Sequence, residues 1–287
     1  MHWTKRRERF RALIAGEQCV HPGSVYDAIS ARIAEDLGFE VGMFAGSVGA
    51  MTVIGAPDLI TLTLTEFAQQ AYRICRAGDL ALLVDADHGY GNALNVKRTV
   101  EELESAGVAA LTIEDTDLPQ PYGSGGKARL IPLEEGVGKM KAALAGRQDP
   151  SLVVAGRTSA PAITGMDDAI ARARAYEAAG VDAIFLVGIT QPAEIEAMHR
   201  AVRIPIFLGG VPAAMRDRAL LARHGVRICL TGHQPFMAGV RAVHATLKAL
   251  RAGTAPEALE GVAPAELMRA VTREDDHKRW TREFLGG

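Results

Sequence analysis

The sequence predicts an α/β fold, a (β/α)8 barrel of the TIM type with a C-terminal helical extension. Three observations predict it: eight short apolar stretches, eight intervening segments with helical spacing, and a glycine recurring where helix passes to strand. The apolar stretches 18–21, 41–45, 81–85, 109–114, 152–157, 183–187, 204–208 and 227–231 read as strands. Most are continuous rather than alternating, as expected where both faces of a parallel sheet are covered.

Between them, segments 25–37, 64–77, 95–106, 133–145, 166–179, 192–201, 216–224 and 235–252 show helical periodicity. The joints Leu37-Gly38-Phe39, Ala106-Gly107-Val108, Ala179-Gly180-Val181 and His224-Gly225-Val226 each place glycine just past a helix end. A left-handed residue there favours the side chain without a Cβ. A doubly wound open sheet is the alternative architecture. The strand count and the absence of GxGxxG after the first strand weigh against it.

Two segments break the repeat. Residues 116–132, with Gly123-Ser124-Gly125-Gly126-Lys127, are too long and too polar for a routine connection, and they follow a strand ending in Glu114-Asp115. A lid over an active site is the expectation. The glycine run lacks P-loop spacing and a hydroxyl after its lysine, so nucleotide hydrolysis is not expected. The chain thus divides into a barrel, 1–252, and a tail, 253–287, whose apolar residues Leu259, Val262, Leu267, Met268, Val271, Trp280 and Phe284 need a surface to cover.

Composition narrows the function classes. With 32 basic and 34 acidic side chains in 287 residues and no long basic run, no nucleic-acid partner is expected. Cys19, Cys75 and Cys229 are far apart, without CxxC or zinc-finger spacing, which fits a reducing compartment. No apolar run approaches the ~18 residues of a membrane span, and the charged N-terminus has too short an apolar stretch for a signal peptide. A cytoplasmic protein without a membrane partner is the expectation.

Barrel enzymes carry their chemistry where strands end. Here those ends read Ala45-Gly46-Ser47-Val48, Asp85-Ala86-Asp87-His88-Gly89-Tyr90-Gly91-Asn92, Glu114-Asp115, Arg157-Thr158-Ser159 and Thr231-Gly232-His233. Asp85, Asp87, Glu114 and Asp115 repel one another unless a cation intervenes, and oxygen ligands without thiolates favour Mg²⁺ or Mn²⁺. Helix capping is the alternative for any one of these acids.

The Asp85-to-Asn92 segment resembles the metal-binding strand end of the isocitrate lyase and phosphoenolpyruvate mutase superfamily. The resemblance runs through Pro22-Gly23-Ser24-Val25-Tyr26-Asp27, Ser30-Ala31, Gly46-Ser47, Pro57-Asp58, Thr112-Ile113-Glu114-Asp115, Glu135-Gly136, Gly156-Arg157-Thr158 and Ala178-Ala179-Gly180-Val181-Asp182. His88, the run Asn92-Ala93-Leu94-Asn95-Val96 and His233 make the bacterial oxaloacetate decarboxylase group the closest likeness. The resemblance implies that Asp85 holds Mg²⁺, with Asp58, Asp87 and Glu114 acting through bound waters. It implies that Ser47, Arg157 and His233 contact a small 2-keto acid, with Arg157 and His233 catalytic.

The activity so implied is Mg-dependent decarboxylation of oxaloacetate to pyruvate and CO2 through an enolate, a carbon–carbon lyase reaction. Segment 116–132 lacks the Cys and His of the superfamily's isocitrate-type lyases, and Lys127 is a faint echo of the mutase and phosphonopyruvate hydrolase lids. Ser159 stands where Asn or Asp commonly follows Arg-Thr, and the seventh strand ends in Leu208-Gly209-Gly210 without a bulky polar group. The alternatives are another superfamily lyase or hydrolase acting on a 2-keto acid or substituted malate, and a non-catalytic metabolite-binding barrel. Each residue has a plainer alternative: Ser47 as an N-cap, Arg157 as a neutraliser of nearby acids, His233 as a cap or packing residue, His88 as a turn residue outside the metal set. His2, His21, His199, His224, His244 and His277 read as surface or structural. The resemblance further implies a homodimer or homotetramer that exchanges C-terminal helices.

Overall fold

A computed structural model describes residues 3–286. His2, expected at a surface or structural position, lies outside the described residues, as does the last residue of the tail. A first helix, α1 (Trp3–Ala15), precedes the barrel. There follow β1 (Gly23–Ser24), α2 (Ala28–Asp36), β2 (Val41–Phe44), α3 (Gly46–Val53), α4 (Leu64–Cys75), β3 (Ala81–Asp85), α5 (Ala93–Ser105), β4 (Ala110–Glu114) and α6 (Leu133–Gly146). The second half comprises β5 (Val153–Thr158), α7 (Ala160–Ile163), α8 (Met166–Ala179), β6 (Ala183–Leu186), α9 (Pro192–Ala201), β7 (Ile206–Leu208), α10 (Arg218–Arg223), β8 (Val226–Cys229) and α11 (Gln234–Arg251). Helices α12 (Ala265–Thr272) and α13 (Glu274–Leu285) complete the chain.

The eight strands are parallel and adjacent in chain order. The sheet curls until its ends meet at Val20, whose N–H donates to the Arg227 carbonyl (2.9 Å) and whose carbonyl accepts from the Cys229 N–H (3.0 Å). The first strand expected at 18–21 is therefore corrected: Val20 contributes a single bridge, and pairing with β2 falls to Gly23 and Ser24. Pro22 separates the two, having no N–H to give a ladder. At the four glycine joints Gly38, Gly107, Gly180 and Gly225 have φ of 80°, 94°, 102° and 73°.

Apolar side chains occupy two layers. Strand β3 sends Leu82 and Val84 outward against the helices, while Ala81 and Leu83 point into the barrel. The same period of two carries Asp85 inward at the strand's end. The charged stretch near the N-terminus lies within α1. Phe10 and Ile14 join the interior cluster, with the Phe10 and Phe207 rings edge-to-face at 6.2 Å. Arg6 donates to the carbonyls of Cys75 (2.6 Å) and Gly78 (2.7 Å), and Arg7 to that of Val108 (2.9 Å). These carbonyls lie just before β3 and β4, so α1 plugs the end of the barrel opposite the strand C-termini.

Helix α11 has no buried residue, although it follows β8 where the eighth barrel helix is expected. Its Met237, Val240, Val243 and Leu247 are exposed. The tail returns to α2 through buried Val271, whose carbonyl accepts from Arg32 (3.0 Å), and through a two-pronged Arg273–Asp36 pair at 2.7 Å. Trp280 and Phe284 remain exposed. Among the described residues no helix is long and apolar enough to cross a membrane.

Candidate active site

A cavity of about 400 Å³ opens at the C-terminal ends of the strands. Ser47, Asp58, Asp85, Asp87, Glu114, Arg157 and His233 all line it. Register explains part of this convergence: Asp85 is level with Thr112, Glu114 with Arg157, and Arg157 with Phe185. Inward-facing positions on β3, β4 and β5 thus reach the rim together.

Arg157 binds Asp85 through Nη1, and its Nε lies 3.1 Å from a Glu114 oxygen. Asp85 Oδ1 also accepts from the Thr112 hydroxyl (3.1 Å) and the Asp87 N–H (3.2 Å). Asp87 itself adopts a left-handed φ of 48°, which turns its carboxylate toward the start of α3. A Cβ at position 46 would lie 2.5 Å from both Asp87 oxygens, so Gly46 is what admits this approach. Ala45, before α3, offers no side-chain cap, leaving that helix start without a capping oxygen beside Ser47.

Electrostatically the cavity carries surplus negative charge. Burial, reinforced by Asp85 and Glu114, raises Asp87 well above the usual carboxylate range. Burial also raises Glu114 despite Arg157 beside it, and partial desolvation together with Asp85 raises Asp58. Burial works against the Arg157 charge, but Asp85 and Glu114 more than offset it. Burial lowers His233, with Asp85 and Asp58 offsetting part of the shift.

Asp115 is the exception to the expected acidic group. It does not line the cavity, because its side chain points to the opposite face of β4 from Glu114. There its Oδ2 accepts from Tyr176 Oη (2.7 Å) and Arg172 Nη1 (3.0 Å). Arg172 also donates to the Ile131 carbonyl (3.1 Å), so this cluster fastens the base of segment 116–132. That segment is zipped at its stem by a Thr116–Leu130 bridge, and Leu118, Pro119 and Gln120 reach the cavity while Lys127 stays exposed outside it.

His88 does not line the cavity either. It is buried, and its carbonyl accepts from the Lys139 ammonium (2.9 Å), which pins the turn after Asp87. Asn92 and Asn95 form a reciprocal cap on α5. Ser24, part of the Pro22-to-Asp27 motif but given no site role from sequence, has its Oγ 2.9 Å from His233 Nδ1. Its signal was a strand end, hidden while the first strand was assigned to 18–21. The apolar wall of Met43, Leu59, Ile60, Phe185, Val187 and Leu230 was also missed, since such residues look like any core.

The donor chemistry suits a hard divalent cation: four carboxylates and no thiolate among the described residues line the cavity, in excess over the single guanidinium. Among the described residues no three His, Cys, Asp or Glu side chains converge as direct ligands. One direct carboxylate with further acids behind water fits a cation that keeps much of its hydration.

A barrel with acidic strand ends, one half-buried arginine and a histidine at the rim defines an enzyme-type site for a small anion. The chain belongs to the phosphoenolpyruvate phosphomutase family, whose model matches residues 10–251. It is 58% identical over 286 residues to an oxaloacetate decarboxylase of Bradyrhizobium diazoefficiens, covering 100% of this chain and 99% of that protein. Among solved structures, oxaloacetate acetylhydrolase in complex with the inhibitor 3,3-difluorooxalacetate superposes with a TM-score of 0.86 at 25% identity, covering 99% of this chain and 98% of that one. Phosphonopyruvate hydrolase in complex with oxalate and Mg²⁺ superposes with a TM-score of 0.85 at 26% identity, covering 98% and 99%.

Proposed function

We propose that this protein is a Mg²⁺-dependent oxaloacetate decarboxylase, with Mn²⁺ as a substitute metal, releasing pyruvate and CO2. The observation that carries the reading is the cavity in which Asp58, Asp85, Asp87 and Glu114 surround Arg157 and face His233. The decarboxylase at 58% identity over the full chain specifies the reaction. Asp85 would hold the metal, with Asp58, Asp87 and Glu114 acting through water. When bound, the ion supplies Lewis-acid polarisation of the keto oxygen.

The chain's own residues do the remainder. Arg157, with donors to spare beyond those facing Asp85 and Glu114, pairs with a substrate oxygen through its planar fork. The uncapped start of α3 at Gly46 and Ser47 receives a carboxylate or enolate oxygen. His233 donates a hydrogen bond to the developing negative charge from across the cavity. Loss of CO2 leaves an electron pair at the methylene carbon, and one proton drawn from solvent and taken up there completes pyruvate. Leu59, Ile60, Val187 and Leu230 give the cavity an apolar wall beside these groups.

Wild-type protein should release pyruvate only when oxaloacetate, Mg²⁺ and protein are all present, above the rate with metal alone. No excess over metal alone would overturn the reading in favour of metabolite binding. Gly209 lines the cavity at β7 without a polar side chain, and a Cβ there would lie 2.9 Å from Val187; a substituted 2-keto acid or malate is the second reading. A panel of such acids separates the two. The buried free thiols Cys19, Cys75 and Cys229 suit work in a reducing cytoplasm. A second copy of this chain is the partner that covers the apolar stripes of α11 and α13.

A further inference from the structure

We infer that Ser24 is a positioning residue that sets the tautomer of His233, so that the ring offers Nε2–H to the cavity. The inference rests on the reading of His233 as a substrate contact. Ser24 is buried, on the shortest strand, and its Oγ is 2.9 Å from His233 Nδ1. His233 occupies the residue before α11, yet its side chain makes no capping hydrogen bond. Its ring is therefore held from β1, across the closure of the barrel, and not by its own helix.

A neutral imidazole carries one N–H and one lone pair, and a hydroxyl 2.9 Å from Nδ1 can donate to the lone pair or accept from the N–H. A serine hydroxyl donating to Nδ1 leaves the hydrogen on Nε2, the nitrogen turned away from Ser24. An anionic substrate in a cavity lined by carboxylates needs a donor at that point, since a lone pair would repel it. The hydroxyl has a second property that a carboxylate or amide lacks. If the ring takes up a proton at Nδ1, the same oxygen accepts it, and the ring keeps its pose in both charge states.

Ser24→Ala removes the hydrogen bond and leaves Nδ1 without this partner, while Ser24→Thr retains the hydroxyl on a strand that suits a β-branched residue. With Mg²⁺ and oxaloacetate, Ser24→Ala should lower kcat about tenfold, as for loss of one hydrogen bond, with KM within about twofold of wild type. Ser24→Thr should recover kcat to within about twofold of wild type. Nitrogen-15 NMR of histidine-labelled protein should place the hydrogen of His233 on Nε2 in wild type and show a tautomer mixture in Ser24→Ala. Wild-type kcat in Ser24→Ala, equal impairment of folded Ser24→Ala and Ser24→Thr, or an Nδ1–H ring in wild type would each overturn the inference. A wild-type protein inactive on oxaloacetate would sink the proposed reaction alone, because the NMR comparison still decides whether Ser24 sets the tautomer.

Discussion

At Asp85 three donors meet two carboxylate oxygens: Arg157 on one, Thr112 and the Asp87 N–H on the other. Asp85→Asn keeps the size but removes the charge that a metal requires. It should cut Mg²⁺-dependent turnover by about 10²-fold or more and weaken Mn²⁺ binding measured by calorimetry. Chelator-treated wild type should lose turnover and regain it with Mg²⁺. His233→Ala should lower kcat by roughly 10²-fold, the scale of one lost donor to developing charge. His88 supplies a pH test of stability. Burial, then Lys139, pushes its pKa down to about 4, against about 6.5 in an unfolded chain. Between those values the unfolded state binds the extra proton, so stability is complete above pH 6.5 and falls as pH drops toward 4. Urea midpoints at pH 7 and pH 5 should differ, and the difference should shrink in His88→Leu.

At the scale of elements, the segment over the cavity and the helix beneath it make opposite demands. Residues 119–129 are largely exposed, with Tyr122 fully so, above a stem fastened by Asp115, Arg172 and Tyr176. Oxalate with Mg²⁺ should protect the segment from limited proteolysis, and equal cleavage with and without them would show no closure. Tyr176→Phe removes a hydrogen bond to a buried carboxylate and should cost about 1.5–3 kcal/mol in urea unfolding. The plug α1 is held by burial: Phe10 is 1% exposed within the barrel interior, so Phe10→Ala should cost about 3–5 kcal/mol.

Among the described residues the apolar stripes of α11 and α13 stay uncovered, an arrangement that a symmetric second copy would close. Helix exchange predicts that the intact chain sediments as a dimer or tetramer at micromolar concentration. Deleting residues after Ala263 should yield dissociated or aggregated, weakly active protein. A monomeric intact chain would refute exchange. The contacts of Val271 and Arg273 with α2 set the direction in which the tail leaves the barrel.

Local sequence pattern was enough for the strand and helix alternation, because continuous apolar strands and glycine at Gly38, Gly107, Gly180 and Gly225 depend on local periodicity and backbone sterics. It also marked Asp85, Asp87, Glu114, Arg157 and His233 as strand-end residues, and those positions meet in one cavity. The tertiary structure alone decided which acids face inward: Glu114 and Asp115 are neighbours in the chain, but the pleat sends them to opposite faces. It also revealed the arginines of α1 as partners of carbonyls 69 to 101 residues away, where the sequence displays only a charged terminus. Ser24 and His233 are 209 residues apart and meet because the barrel closes at Val20. Local patterns encode elements and their ends, whereas a partner brought in by closing a barrel has no local signature.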